Sequence, residues 1–149
     1  MANTDGPLDI SGDWQPTEVT NTGVWTVGTI WLDRTAGRYA LRVEARHCNA
    51  LGTMNGGAMA TFLDGQAVAV TELAADGSNH TPTISLHVDY LVPPKPGDWL
   101  IADVTLVKMT RTMIFTQAIV RVGERAIARS HAIYSNTLGK AETPAGAPS

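Results

Sequence analysis

Only one stretch of this chain carries a helical period, and the comparable segments around it alternate. From about Gly56 to Ala75 the apolar residues Met59, Phe62, Leu63, Ala67, Val70 and Leu73 recur every three or four positions, which places them on one stripe of a helix. Thr53 or Asn55 can cap its start, and Asp76-Gly77 marks a turn beyond its end. A lone helix with one apolar stripe must bury that stripe against a sheet.

The rest of the chain supplies the sheet. Val24 to Leu32 is rich in β-branched and aromatic residues, and a turn at Asp33 to Gly37 follows. Arg38 to Arg46 then sets Tyr39, Leu41, Val43 and Ala45 on one face and Arg38, Arg42, Glu44 and Arg46 on the other, a half-buried strand that closes a hairpin. After the helix, Thr83 to Val92 alternates, Pro93 to Gly97 turns, and strands follow over about Asp98 to Lys108, Thr112 to Val122 and Arg125 to Asn136. The links near Thr110-Arg111 and Gly123-Glu124 are short enough to make these last strands an antiparallel meander. The order ββαββββ predicts an α+β fold, one long central helix against an antiparallel sheet of five or six strands. Met113, Phe115, Ile119, Ile127 and Ile133 are expected opposite Ile114, Val120 and Val122, on a face that one helix cannot cover.

A chain of 149 residues is one domain long. Residues 24–137 are read as that domain. Residues 1–23, with Gly6, Pro7, Gly12, Pro16 and Gly23, are read as a loop or cover, and residues 138–149, rich in Ala, Pro, Gly and Ser, as a disordered tail. Eleven Lys and Arg against fourteen Asp and Glu give a net charge of −3, so no broad field draws in nucleic acid or an anionic membrane. No apolar stretch approaches the roughly 20 residues of a membrane span. Met1 to Ile10 has neither the basic nor the apolar region of a signal peptide. One cysteine, Cys48, cannot form an internal disulfide and fits a reducing compartment, so the expected location is the cytoplasm.

Two features could carry chemistry. Gly56 and Gly57 open the helix, where amides lack intrahelical partners, the helix dipole is positive, and no side chain blocks a ligand carbonyl. Asp64 follows about two turns later, an indifferent helix former set among Ala, Leu and Phe. Taken alone, the glycines read equally well as a small-residue helix start needed for packing, and Asp64 as a solvated helix carboxylate. Other chemistries find no support. His47 and Cys48 are adjacent in an extended segment and point apart, there is no G-x-S-x-G elbow, and His47, His80, His87 and His131 lack zinc-like spacing. The Gly-Gly pair also lacks the Lys-Ser/Thr that a phosphate-cradling loop needs.

The segment His47-Cys48-Asn49-Ala50-Leu51-Gly52-Thr53-Met54-Asn55-Gly56-Gly57, running into a helix with Asp64, resembles the signature of the hot-dog thioesterases. It is most similar to the phenylacetate-pathway type, H-x-N-x-x-G-x-x-H-G-G followed by a helical Asp. The likeness continues through Thr83 to Asp89, Tyr90-Leu91-Val92-Pro93, Gly97-Asp98 and the final strand pair.

The resemblance implies a hot-dog fold and an acyl-coenzyme A thioesterase that needs no separate cofactor, coenzyme A being part of the substrate. It implies Asp64 as general base or nucleophile, Asn49 as the residue orienting water or carboxylate, and Gly56 as the amide that polarises the thioester oxygen. Asn55, Gly57 and Thr83 would face substrate, and Lys95, Lys108 and Arg111 would meet the coenzyme A phosphates. Asn55 departs from the pattern: the family has His there, and Asn cannot titrate near neutrality. The resemblance further implies a homodimer or homotetramer with sites between subunits. The departure at Asn55 favours an alternative, a non-catalytic acyl-CoA-binding sensor, against which Asp64 and Asn49 argue. An acyl-CoA hydratase would want a His–Asp dyad, for which the motif His is missing.

Overall fold

A computed structural model describes residues 6, 7, 9–16, 27–72 and 81–138. Seven strands form one antiparallel sheet: β1 Gln15–Pro16, β2 Trp31–Asp33, β3 Arg38–Arg42, β4 Thr83–Tyr90, β5 Trp99–Met109, β6 Met113–Val122 and β7 Arg125–Ser135. Their order is β1-β2-β3-β5-β6-β7-β4. Between β3 and β4 lie a 3-10 turn, Ala45–His47, and two helices, α1 Gly56–Leu63 and α2 Gln66–Val70. This is the hot-dog arrangement, a sheet around a central helix, with seven strands where five or six are expected.

Alternation decides which side chains meet the helix. Along β6, Ile114, Thr116, Ala118 and Val120 are buried, while Met113 and Gln117 are exposed. The β6–β7 link is a two-residue turn, Val122 opposite Arg125, and Gly123 supplies the positive φ of 59° that such a turn needs at its first position. β4, the first strand after the helices, pairs with β7 (Leu86 opposite Ala132) and so lies at one end of the sheet.

The central helix is interrupted. The apolar period predicts one helix from Gly56 to Ala75, whereas α1 ends at Leu63 and α2 begins at Gln66; residues 73–75 lie outside the described residues. The cause is local. Gly65 is a poor helix former, and the Gly65 amide bonds back to the Phe62 carbonyl (3.3 Å), one residue tighter than an α-helical bond. Two apolar clusters lie beneath the two pieces. Phe62 and Leu63 of α1 pack with Tyr39, Leu100, Val120 and Ile127, and Ala67 of α2 packs with Ile114, Ala132 and Tyr134. Full burial of Phe62 alone contributes about 2–3 kcal/mol.

Other expectations need adjusting. The first long strand shrinks to Trp31–Asp33, with Gly28 to Ile30 in coil and residues 24–26 outside the described residues. Gln15–Pro16, expected as loop, adds two residues to the edge of β2. Ile127 lies in the core at 1% exposure rather than on the open face, because the β6–β7 register shifts between Val120 and Arg121. Among the described residues no helix is long and apolar enough to cross a membrane.

Candidate active site

The start of α1 is set by hydrogen bonds in the loop before it. His47, buried, accepts from the Glu44 amide at Nδ1 (2.9 Å), and its Nε2 lies 2.7 Å from the Val27 carbonyl. Both ring nitrogens are engaged in structure, so His47 is not available to activate Cys48. Asn49 folds the next turn: its side-chain oxygen accepts from the Leu51 amide (2.9 Å) and the Thr53 amide (3.3 Å). The Asn55 amide donates to the His47 carbonyl (2.8 Å), and its side-chain oxygen caps α1 by accepting from Gly57 N–H at 2.7 Å.

That cap separates the two glycines. Gly57 N–H is occupied, whereas Gly56 N–H has no acceptor among the described residues. Tyr90 lies over Gly56, its hydroxyl donating to the Gly56 carbonyl (2.7 Å) and its ring close enough that a Cβ on Gly56 would meet it at 3.3 Å. A groove of about 530 Å3 opens here, bordered by Asn49, Gly56, Tyr90 and Pro93 and floored by Met59 and Ile127.

Asp64 stands at the other end of α1, as the C-cap at the helix break rather than inside a continuous helix. Thr83, the first residue of β4, donates its hydroxyl to Asp64 Oδ1 at 2.8 Å. The dense protein around the base of Asp64 removes water from it and raises its carboxyl pKa above the usual range, against the smaller lowering effect of the Thr83 hydroxyl. A carboxylate shifted in that direction is a stronger proton acceptor than a free one.

Three further side chains hold the break, and sequence reasoning missed them. Tyr39 on β3 donates its hydroxyl to the Phe62 carbonyl (2.8 Å), Gln66 its side-chain amide to the Leu63 carbonyl (3.0 Å), and Tyr134 on β7 its hydroxyl to the Asp64 carbonyl (2.9 Å). Gln66 is fully buried and also bonds to Ser130 and Thr116. The available signal was polarity at core-facing positions, since a buried tyrosine hydroxyl needs a partner and here the partner is a helix-end carbonyl.

The residues singled out from sequence thus fall into two groups. Asn49, Asn55, Gly56 and Gly57 gather at the start of α1, and Asp64 with Thr83 at its end. Eight residues of helix place the groups about 12 Å apart along the axis. The cations divide likewise. Lys95 follows Pro93 and Pro94 beside the groove, while Lys108 lies near the far end of β5 and Arg111 just beyond it, roughly 30 Å away along that strand. None of the three is ion-paired to a described residue. A separate depression of about 470 Å3 on the outer sheet face contains His87 and His131, stacked with ring centroids 4.7 Å apart, and none of the candidate residues borders it. Among the described residues no three His, Cys, Asp or Glu side chains gather as a metal site.

Comparison with known proteins bears on the family and the fold. A family model described as "Thioesterase superfamily" matches residues 51–128, from the Asn49 turn through both helices and into β7. Human acyl-coenzyme A thioesterase 13 is 32% identical over 79 residues, 51% of this chain and 54% of that protein. The chain therefore spans about half the length of that relative. In fold, a phenylacetic acid degradation protein from Thermus thermophilus superposes with a TM-score of 0.57 at 18% identity, covering 83% of this chain and 92% of that one. Thioesterase superfamily member 2 from Mus musculus superposes with a TM-score of 0.56 at 19% identity, covering 82% and 80%.

Proposed function

The chain belongs to the thioesterase superfamily, and on that premise we propose that it hydrolyses acyl-coenzyme A, with Asp64 activating water and the Gly56 amide stabilising the oxyanion. The observations that carry this reading are a partly shielded carboxylate, held on one oxygen by Thr83, and a helix-start amide left without an acceptor. Asp64 takes a proton from water as that water attacks the thioester carbon. Charge moves onto the carbonyl oxygen, where a preorganised N–H is most effective. Collapse of the adduct expels the coenzyme A thiolate, which recovers the proton, leaving free acid and thiol. Water is the only co-reactant, so no cofactor is needed.

The two groups cannot act on one carbonyl from within a single chain. An amide and a carboxylate that both reach one thioester stand within about 7–8 Å of each other, each about 3 Å from the reacting atoms. Here they are about 12 Å apart along α1. The proposed site therefore joins Gly56, Asn49 and the groove of one copy to Asp64 and Thr83 of another, related by a two-fold axis that builds two such sites. β4 supports this assembly. It ends the sheet with no strand on its outer side among the described residues, and Ile84 and Tyr90 are more than half exposed. The same juxtaposition would bring Lys108 and Arg111 of one copy toward Lys95 of the other, around the coenzyme A phosphates. A homodimer, or a homotetramer made from two, is the proposed state, and the cytoplasm the proposed location.

Complementation between two inactive variants tests this reading. Gly56→Pro deletes the amide donor and suits the backbone of the first helical position, since Asn55 at φ −63°, ψ 138° already has the conformation proline requires of its predecessor. The added Cβ needs the Tyr90 ring, 3.3 Å away, to shift by a few tenths of an ångström. Asp64→Asn deletes the base. Each variant alone should be inactive on an acyl-coenzyme A panel. Co-refolded in equal amounts they should recover roughly a quarter of wild-type turnover, because half the dimers are mixed and each mixed dimer has one intact site. Absence of recovery in mixed dimers that have formed would remove the shared site. A wild-type protein that binds acyl-coenzyme A but releases no thiol would leave the sensor instead.

A further inference from the structure

We propose that Tyr134, together with Tyr39, is a positioning residue that sets the direction of the Asp64 carboxylate by holding the helix break open. The proposal deepens the reading above and rests on Asp64 being the reacting carboxylate.

In an unbroken helix the backbone at Asp64 would bond only to its own ladder, and the side chain would follow the direction that ladder dictates. Instead the chain leaves helical geometry after Asp64 (φ −74°, ψ −2°, still right-handed), at Gly65 (φ −89°, ψ 8°), before α2 begins. The hydroxyl of Tyr134 sits in this gap. It donates to the Asp64 carbonyl at 2.9 Å, and its oxygen faces the backbone N–H of Gln66. In a regular helix the Asp64 carbonyl would accept from Val68 N–H, which here bonds to the Gly65 carbonyl instead (3.3 Å). A side chain inserted into the ladder is one of the few recognised causes of a kink. From a second strand Tyr39 donates to the Phe62 carbonyl at 2.8 Å. The two rings come from β3 and β7, so the break is clamped between strands that belong to the core.

Tyr39 and Tyr134 are 1% and 2% exposed, so neither hydroxyl can exchange its helix partner for bulk water. Removing one leaves a buried carbonyl short of a donor, and the least costly response is for the break to tighten toward regular helix. That rotation carries Asp64 away from Thr83, whose hydroxyl fixes Oδ1 from the neighbouring strand at 2.8 Å. Tyr134 touches no reacting atom in this arrangement. It acts on the carboxylate only through the backbone, which separates it from Thr83.

Tyr134→Phe and Tyr39→Phe test the proposal, each keeping the ring and deleting only the hydroxyl. Tyr134→Phe should lower kcat about 10- to 100-fold, the usual cost of a displacement near 1 Å, with KM within about twofold of wild type. Its pH profile is the reading a merely structural role would not move: with the Thr83 bond loosened, the Asp64 carboxyl titrates higher and the acid limb of kcat/KM shifts to higher pH. The same rise should be visible by NMR titration of 13C-labelled aspartate, which needs no turnover. Tyr39→Phe should show the same pattern, less strongly, and it decides the matter where Tyr134→Phe does not fold. An unmoved Asp64 midpoint in a folded variant overturns the proposal. So does kcat within twofold of wild type in both variants while Asp64→Asn is inactive. If Asp64→Asn itself retains activity, the functional reading has failed, and the NMR midpoint still decides whether the tyrosines position the carboxylate.

Discussion

Replacing Asp64 by Asn is the most direct probe of the proposed chemistry, because it removes the base and little else. Asn is the same size as Asp, and its side-chain oxygen can still accept from the Thr83 hydroxyl now found 2.8 Å from Asp64 Oδ1. An amide cannot take a proton from water, so kcat should fall by about 10²–10⁴-fold, the usual contribution of a positioned general base. That corresponds to about 2.7–5.4 kcal/mol at the barrier. KM should hardly change, because the isosteric substitution leaves the groove and the Gly56 amide that bind the substrate intact. Stability gives an independent sign. Folding raises the Asp64 carboxyl pKa, so the charged form is disfavoured in the native state and carries a stability penalty above the folded pKa. That penalty disappears as pH falls through the folded pKa toward the unfolded one. Asp64→Asn should therefore be as stable as wild type or more so at neutral pH, with the advantage vanishing in acid. Thiol release across an acyl-coenzyme A panel measures the first effect and denaturant melts at several pH values the second. Turnover within about threefold of wild type would refute the assignment, since no general-base contribution is that small.

Removal of the Thr83 hydroxyl by Thr83→Ala takes away the one group that lowers the Asp64 pKa, so the acid limb of a kcat/KM profile should move to higher pH, with activity lost first on the acid side. Asn55→Ala deletes the α1 cap on Gly57 N–H and should cost about 1 kcal/mol in a denaturant melt. Charge reversal at Lys108 or Arg111 should raise KM more than it lowers kcat, because phosphate contacts far from the reacting carbon stabilise ground and transition states alike. The KM difference from wild type should shrink as salt is added, and unchanged KM in both variants would place the phosphates elsewhere.

The sequence by itself determined the architecture, because periodicity is a local property of the chain. Two-residue alternation through Ile114 to Val120 dictates a sheet face, the spacing of Met59, Phe62, Leu63 and Ala67 a helix stripe, and the short links at Thr110-Arg111 and Gly123-Glu124 an antiparallel meander. Asp64 and Thr83 were likewise singled out as candidate site residues, through the family resemblance. Tertiary structure decided the rest. The interruption at Asp64-Gly65 depends on hydroxyls from Tyr39 and Tyr134, which are 25 residues before and 70 residues after the carboxylate in sequence, and no local propensity reports a partner that distant. The same holds for the proposed division of the site. Counting residues from Gly56 to Asp64 yields a distance, but that β4 ends the sheet, the edge on which the proposed second copy would dock, follows only from its long-range pairing with β7. Nor could composition show that Asn55 spends its side-chain oxygen on Gly57 and so leaves Gly56 as the open donor. Local pattern decides what each segment becomes. Which groups meet depends on chain closure over long separations, and a linear sequence does not display that.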